Sequence, residues 1–364
     1  MKHTYFITGF PGFLAEQLLI QLYKDYPNQI NHVYLLTLPS TKHQARNRLN
    51  FFTRDNDLNE NNFTIIEGDI TSPGLDMSIS ENVTTNITHV FHLAAVYDLA
   101  VSKELAYGVN VDGTKNVNDW VESLPNLKRY IYFSTAYVAG MREGRVYETE
   151  LIHDAPFKNY YEETKYLAEI DVEALKMKIP TTIIRPSVVK GHSQTGYTTK
   201  FDGLYFFLNF FDKLQFSPVI PMIDNSQVEG NFVPSDYVIE ATSFLAINDI
   251  GINKTYHLAD PNPYTMSQLY QMLIAEYLDR QPRLQVPSSL TKKTLELSLL
   301  RKWIKVEKEA IDYFIYDTSY DTTLAEKDLL TGNIACPDLK DTLPSMIEFY
   351  RKYKDDSTKH IEIN

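Results

Sequence analysis

Over its first half the chain alternates short β-branched or aromatic runs with stretches of helical period, and this alternation fixes the fold class. Strand runs fall at residues 4–8, 32–37, 63–67, 89–93, 129–133 and 181–184, with amphipathic segments such as 13–26 and 103–123 between them. Repeated β-α-β order makes the strands parallel and lays helices on both faces of the sheet. Right-handed crossovers then leave a doubly wound arrangement as the expected α/β fold.

Past Pro186 the pattern loosens. Residues 191–230 are rich in loop-forming residues yet hold the aromatic run 204–211, and residues 255–258 read as a further strand. A helix follows over residues 266–278, behind the N-cap candidate Thr265. From Arg283 onward the chain reads as mainly helical. The expected division is a nucleotide-binding domain over 1–190, with 230–260 returning to it. A smaller, mainly helical substrate-binding region over 191–364 is interleaved with that domain.

Charge and composition exclude several classes. Lys and Arg total 35 against 47 Asp and Glu, a net charge of -12, which argues against a nucleic-acid partner. Cys336 is the only cysteine, so no intramolecular disulfide forms and a reducing, cytoplasmic setting is expected. The nine His fall at no ligand spacing, so no metal site is expected. No apolar stretch nears the ~20 residues of a membrane span, and the N-terminus shows no signal-peptide core. The 25 Tyr and 19 Phe fit either an apolar pocket or an aromatic-rich core. Monomer and homodimer both stay open.

Strand 4–8 runs into Thr8-Gly9-Phe10-Pro11-Gly12-Phe13-Leu14-Ala15 and then a helix. At such a junction, helix N–H groups stand where a dinucleotide pyrophosphate can sit. Gly9 permits the tight turn, Gly12 lets a phosphate approach the backbone, and Ala15 keeps helix and strand close. The second strand ends Thr37-Leu38 without the carboxylate that binds a ribose 2′-hydroxyl, while Lys42, Arg46 and Arg48 follow. That leans toward NADP with NAD possible, the same three residues fitting a solvated helix face equally well.

Tyr161-Glu162-Glu163-Thr164-Lys165 carries the chemistry. Residues i and i+4 share a helix face, so Tyr161 and Lys165 can enter one site. A free Tyr titrates near ~10, and a neighbouring ammonium is expected to lower that value. A Tyr so tuned can protonate a carbonyl oxygen as hydride arrives at carbon. No nucleophile elbow and no Walker A sequence competes with this reading.

These segments resemble, in order, the extended short-chain dehydrogenase/reductases, whose cofactor domain is of the Rossmann type. Thr8-Gly9-x-x-Gly12-x-x-Ala15 is similar to that superfamily's T-G-x-x-G-x-x-G turn, with Ala15 replacing the third glycine. The resemblance implies Asp69 and Ile70 beside the adenine, and Leu93, Ala94 and Ala95 beside the pyrophosphate and ribose. Asn110, in a segment resembling N-V-x-G-T, is a further catalytic candidate with a positioning role. Thr135 takes the family's Ser/Thr place, because Ala136-x-Val138-x-Gly140 fixes the alignment, with Ser134 as fallback.

Within the superfamily the chain is most similar to the thioester-reductase or fatty-acyl reductase branch, also called male-sterility type. His92-Leu93-Ala94-Ala95-Val96-Tyr97-Asp98, Ser134-Thr135-Ala136-Tyr137-Val138 and Arg185-Pro186-Ser187-Val188 resemble its motifs, and the last brings Pro186 and Val188 to the cofactor. The implied reaction is NAD(P)H-dependent reduction of an acyl-CoA or acyl-carrier thioester to aldehyde or alcohol. Tyr161 would protonate the oxyanion with Thr135, while Lys165 holds the nicotinamide ribose. The branch commonly has an Arg where Leu38 stands, which weakens the NADP reading. Adenylation and carrier domains found in many relatives have no counterpart here, so the acyl group is expected on CoA or a separate carrier. The run 204–211 suits an acyl channel or a buried helix face alike. The basic and apolar stretch around Lys292, Lys293, Arg301, Lys302 and Trp303 fits a solvated amphipathic helix better than a docking surface. Rival readings are a sugar-nucleotide epimerase or dehydratase, a ketone or aldehyde reductase, and a non-enzymatic NADP sensor or scaffold.

Overall fold

In the computed structural model, which describes residues 2–218, 220–223, 227–282, 284–286 and 317–360, seven parallel strands form one sheet. In chain order they are β1 (His3–Thr8), β2 (Ile30–Thr37), β3 (Phe63–Glu67), β4 (His89–His92), β5 (Arg129–Phe133), β6 (Thr181–Pro186) and β7 (Lys254–Leu258). Across the sheet they run β7-β6-β5-β4-β1-β2-β3. The chain winds outward from β1 to β3, then returns to the other side of β1 at β4. That reversal opens a crevice at the carboxyl ends of β1 and β4, where Thr8 pairs with His92. The strands expected from sequence are all present, with ends shifted by a residue or two.

The main helices are α1 (Phe13–Asp25), α2 (Lys42–Asp55), α3 (Gly113–Glu122), α4 (Tyr160–Leu175), α5 (Tyr205–Leu214), α6 (Ser235–Ile247), α7 (Met266–Leu278) and α8 (Leu339–Tyr353). Successive strand residues point to opposite faces, and both faces are covered, which is why the strands read as nearly continuous apolar runs. Tyr5 and Ile7 pack with Leu18, Leu49 and Val238 from α1, α2 and α6. Phe6 points the other way, into a core with Val117 and Val172 from α3 and α4.

A third core joins α5, α7 and α8, where Phe201, Tyr205, Leu208 and Phe211 meet Leu269, Leu273, Leu343 and Ile347. The aromatic run is therefore mostly helix core. Thr265 caps α7 in a reciprocal box with Gln268, as its position before the apolar period suggested.

The expected helix over 103–123 is present, with a π segment inside it. An α-turn at Lys103–Ala106 passes through a π-turn at Tyr107–Asp112 before α3 begins. Gly113 allows the closeness, since a Cβ there would lie 2.9 Å from Ile70 Cδ1. The extra residue in the turn carries Asn110 inward, to 1% exposure. No helix among the described residues is long and apolar enough to cross a membrane. Lys292, Lys293, Arg301, Lys302 and Trp303 lie outside the described residues.

Candidate active site

A cleft of ≈830 Å³ follows the carboxyl edge of the sheet. It is lined by Thr8, Gly9, Phe10, Pro11, Gly12, Phe13 and Leu14 after β1, by Asp69 and Ile70 after β3, and by Leu93, Ala94 and Ala95 after β4. Thr135, Tyr161, Lys165, Pro186 and Val188 line it too. Asn110, grouped above with the catalytic residues, is not among the lining residues. Its Oδ1 accepts from Val96 N at 2.9 Å, and its Nδ2 donates to Val96 O and Thr164 Oγ1, both at 3.0 Å. It therefore pins the loop after β4 to α4 from behind, and the π-turn is what points it there.

The glycine turn has the shape a pyrophosphate needs. Gly9 has φ +88, and a Cβ there would lie 2.8 Å from Ala94 N; a Cβ on Gly12 would lie 2.6 Å from Gly9 O. Gly12 is also the N-cap of α1 and brings no side chain to the first-turn amides, which are left to an anionic ligand. Asp69 is steadied by Thr71, whose N and Oγ1 donate at 2.9 and 2.8 Å. Ser187 adds a buried hydroxyl on the cleft wall with no hydrogen-bond partner among the described residues. These features fit a dinucleotide.

The cations after β2 are placed less favourably than their sequence position suggested. Lys42 pairs with Glu67, and Arg48 Nε donates to Glu16 at 3.0 Å. Arg46 is exposed, and none of the three lines the cleft, although Leu38 and Thr41 do.

At the other end, the Thr135 hydroxyl stands beside the Tyr161 phenol, and both line the cleft. Lys165, 2% exposed, turns beneath them, with Nζ donating to Tyr132 Oη at 2.8 Å and to Phe133 O at 2.6 Å. Thr114 stands beside Tyr132, Thr114 Oγ1 lies 3.1 Å from His92 Nε2, and His92 Nδ1 lies 2.8 Å from Thr8 Oγ1. A buried polar chain thus runs from Lys165 to the start of the glycine turn. His92 is a strut in that chain, and burial holds its pKa down at about 3, so it stays neutral.

The expected tuning is reversed. Burial pushes the Tyr161 phenol up to about 12, opposed by the Thr135 hydrogen bond, and burial pulls Lys165 down to about 7. Burial disfavours the charged form of each group, and Lys165 Nζ is bonded to Tyr132 Oη and Phe133 O. A stability effect follows from Lys165. Between pH 7 and its usual value of 10.5 the unfolded chain holds a proton that the folded one has lost. Stability contributed at this position therefore rises with pH across that window. Urea midpoints of the wild type and Lys165→Met, compared at about pH 7 and about pH 9.5, should diverge in favour of the wild type at the higher pH. An unchanged gap would contradict the burial argument.

Ser187, Lys158, Tyr137 and Tyr320 also line the cleft, and sequence reasoning assigned none of them a role there. The signal for Ser187 was its place just past β6, whose Ile184 pairs with Phe133 of β5 and so brings Ser187 near Thr135. Lys158, one residue before the N-cap Asn159 of α4, carried no pattern of its own.

This sheet order and glycine turn are those of an oxidoreductase scaffold of the extended short-chain dehydrogenase/reductase type. The chain belongs to the NAD-binding family described as male sterility protein, which matches residues 7–242, and its cofactor is accordingly a nicotinamide dinucleotide. The Drosophila melanogaster fatty acyl-CoA reductase wat is 27% identical over 236 residues, covering 55% of this chain and 45% of that protein. The chain thus spans less than half the length of that relative. In fold it is similar to the terminal R domain from the myxalamid PKS-NRPS pathway, with TM-score 0.78, 22% identity, and 99% and 93% of the two chains covered. It is similar also to a thiolation-reductase di-domain from an archaeal non-ribosomal peptide synthetase, with TM-score 0.75, 18% identity, and 98% and 76% covered.

Proposed function

We propose that this protein reduces an acyl thioester, carried on CoA or on a carrier protein, to an aldehyde or onward to the alcohol. NADPH is the proposed donor, with NADH as the alternative. The observation that carries the reading is the Tyr161 phenol, beside Thr135, in the same cleft as a glycine turn shaped for a pyrophosphate. The names of the fly reductase and of the two reductase domains support the thioester as substrate.

Gly9, Gly12 and the first turn of α1 hold the pyrophosphate, Asp69 and Ile70 flank the adenine, and Pro186, Ser187 and Val188 stand at the nicotinamide end. When bound, the dinucleotide supplies hydride to the acyl carbon. Tyr161 gives its proton to the oxygen as charge builds there, and Thr135 holds that oxygen and the phenol in one hydrogen-bonded group. Lys165 supports the ribose and, when protonated, favours transient phenolate character at Tyr161. Phe206, Phe232 and Met266, on the wall away from the glycine turn, accept the acyl chain. Support for NADPH comes from the absence of a carboxylate at Thr37-Leu38, where Leu38 lines the cleft.

The test is incubation with NADPH or NADH and acyl-CoAs of graded chain length, following dinucleotide oxidation and free thiol together. Thiol release matched to oxidation, one dinucleotide per thiol for an aldehyde and two for an alcohol, is the expected result. Oxidation seen only with ketones or aldehydes, or epimerisation of sugar nucleotides without net oxidation, would overturn the reading.

A further inference from the structure

We propose that Lys158 is a second acid of this site, stabilising and protonating the thiolate that leaves the acyl carbon; the inference rests on the thioester reading above. Thioester reduction makes two proton demands where carbonyl reduction makes one. Tyr161 and Thr135 serve the oxygen, and the proton given there must return when the carbonyl re-forms. Neither group is then available to sulfur. The thiolate would form inside a cleft lined largely by apolar side chains, where an unpaired anion is costly.

Lys158 is placed to meet that demand. It lines the cleft just before the helix that carries Tyr161, and its side chain is only 7% exposed. Its backbone N donates to Glu162 Oε2 at 3.0 Å, and its Nζ stands 3.7 Å from Glu162 Oε1, with Glu162 fully buried. The ammonium also lies 5.6 Å from the ring centre of Tyr137, which lines the cleft together with Tyr161 and Tyr320. Lys158 is thus a buried cation on the reacting side of the cleft. The other cleft-lining lysines are occupied differently. Lys165 is bonded to Tyr132 and Phe133 O beneath the site, and Lys200 lies 4.7 Å above the ring of the exposed Tyr97. A buried ion pair is a costly device compared with apolar packing.

The step balances. Hydride forms the C–H bond, the carbonyl π pair moves to oxygen, and oxygen takes the Tyr161 proton. The O–H proton then returns to Tyr161, the carbonyl re-forms, and the C–S pair leaves on sulfur. Sulfur takes the Lys158 proton, and the amine is reprotonated from solvent through the cleft. The net reaction consumes one hydride and one proton and yields aldehyde and thiol.

The test compares wild type, Lys158→Met and Lys158→Arg on three substrates with one acyl group: its pantetheine thioester, its thiophenol ester and the corresponding aldehyde. An alkyl thiol, with a pKa of about 8.5 or above, needs the acid, whereas an aryl thiolate leaves unaided. Lys158→Met should lose on the order of 10²-fold in kcat on the pantetheine ester. Its loss should shrink to about threefold or less on the thiophenol ester and the aldehyde, and Lys158→Arg should recover most of the difference. Calorimetry with free pantetheine, which needs no turnover, should show roughly tenfold weaker binding to Lys158→Met. Equal losses on all three substrates, or no loss with unchanged pantetheine binding, would overturn the role of Lys158 alone. Failure of the wild type to release thiol from either ester would overturn the thioester reading itself, and the role of Lys158 with it.

Discussion

Replacing Tyr161 by Phe should lower turnover by a factor on the order of 10²–10⁴ while leaving the dinucleotide bound within about threefold. The substitution removes one oxygen and keeps the ring, so packing in the cleft is preserved. With its pKa at about 12, the phenol stays protonated across the working pH range and is a donor throughout. Loss of rate at rising pH should instead begin near 7, where Lys165 loses its charge. The measurements are steady-state rates on an acyl-CoA and a fluorescence titration of NADPH binding, made on the same preparations. A variant that turned over within about threefold of wild type would show that another group protonates the oxygen. A variant that lost cofactor binding as well would show a positioning role for the phenol.

The sheet was legible because both of its faces are covered. Runs such as Tyr5-Phe6-Ile7 are apolar throughout, and amphipathic helices separate them. The glycine turn was legible because only glycine fits two backbone approaches there, at Gly9 and Gly12. What sequence left open depended on partners distant in the chain. The charge of Lys42 and Arg48 is visible in the sequence, but Glu67 and Glu16, which hold them, are not visible as their partners. The run 204–211 shows the same apolar character on two sides of α5, and only the fold shows Tyr205, Leu208 and Phe211 in a helix core and Phe206 on the cleft wall. The π-turn at Tyr107–Asp112 shifts the helical period by its extra residue, so a regular period drawn over 103–123 did not reveal that Asn110 turns inward. Tyr161 and Lys165 were found by their spacing and their place in the strand–helix order, but their protonation depends on burial, which neither encodes.

Glu169→Gln should be the most destabilising single change among the site's supporting residues, at about 3–5 kcal/mol. Glu169 and Arg185 are 0% and 1% exposed. Glu169 Oε1 accepts from Arg185 Nε at 2.8 Å and Nη2 at 2.6 Å, and its Oε2 accepts from the Ser134 hydroxyl. Arg185 also donates through Nη1 to His257 Nε2 at 3.2 Å, while His257 Nδ1 donates to Asp321 O at 2.8 Å. The group ties α4 and the end of β5 to β6 and β7. Gln keeps the shape but removes the charge, and Arg185 cannot neutralise itself, so a buried cation is left without its counter-ion. Urea unfolding should show the midpoint falling with little change in slope. The double change Glu169→Leu with Arg185→Met should recover most of the loss, because well-packed apolar pairs replace buried ion pairs at little net cost. Glu169 also lies one turn beyond Lys165 on the same face and supports its charge. The Gln variant should therefore carry the pH edge of turnover below the wild-type value, in a direction that lost packing alone would not produce. A cost under about 1 kcal/mol together with an unmoved edge would mean that this carboxylate neither holds the strand ends together nor reaches the lysine.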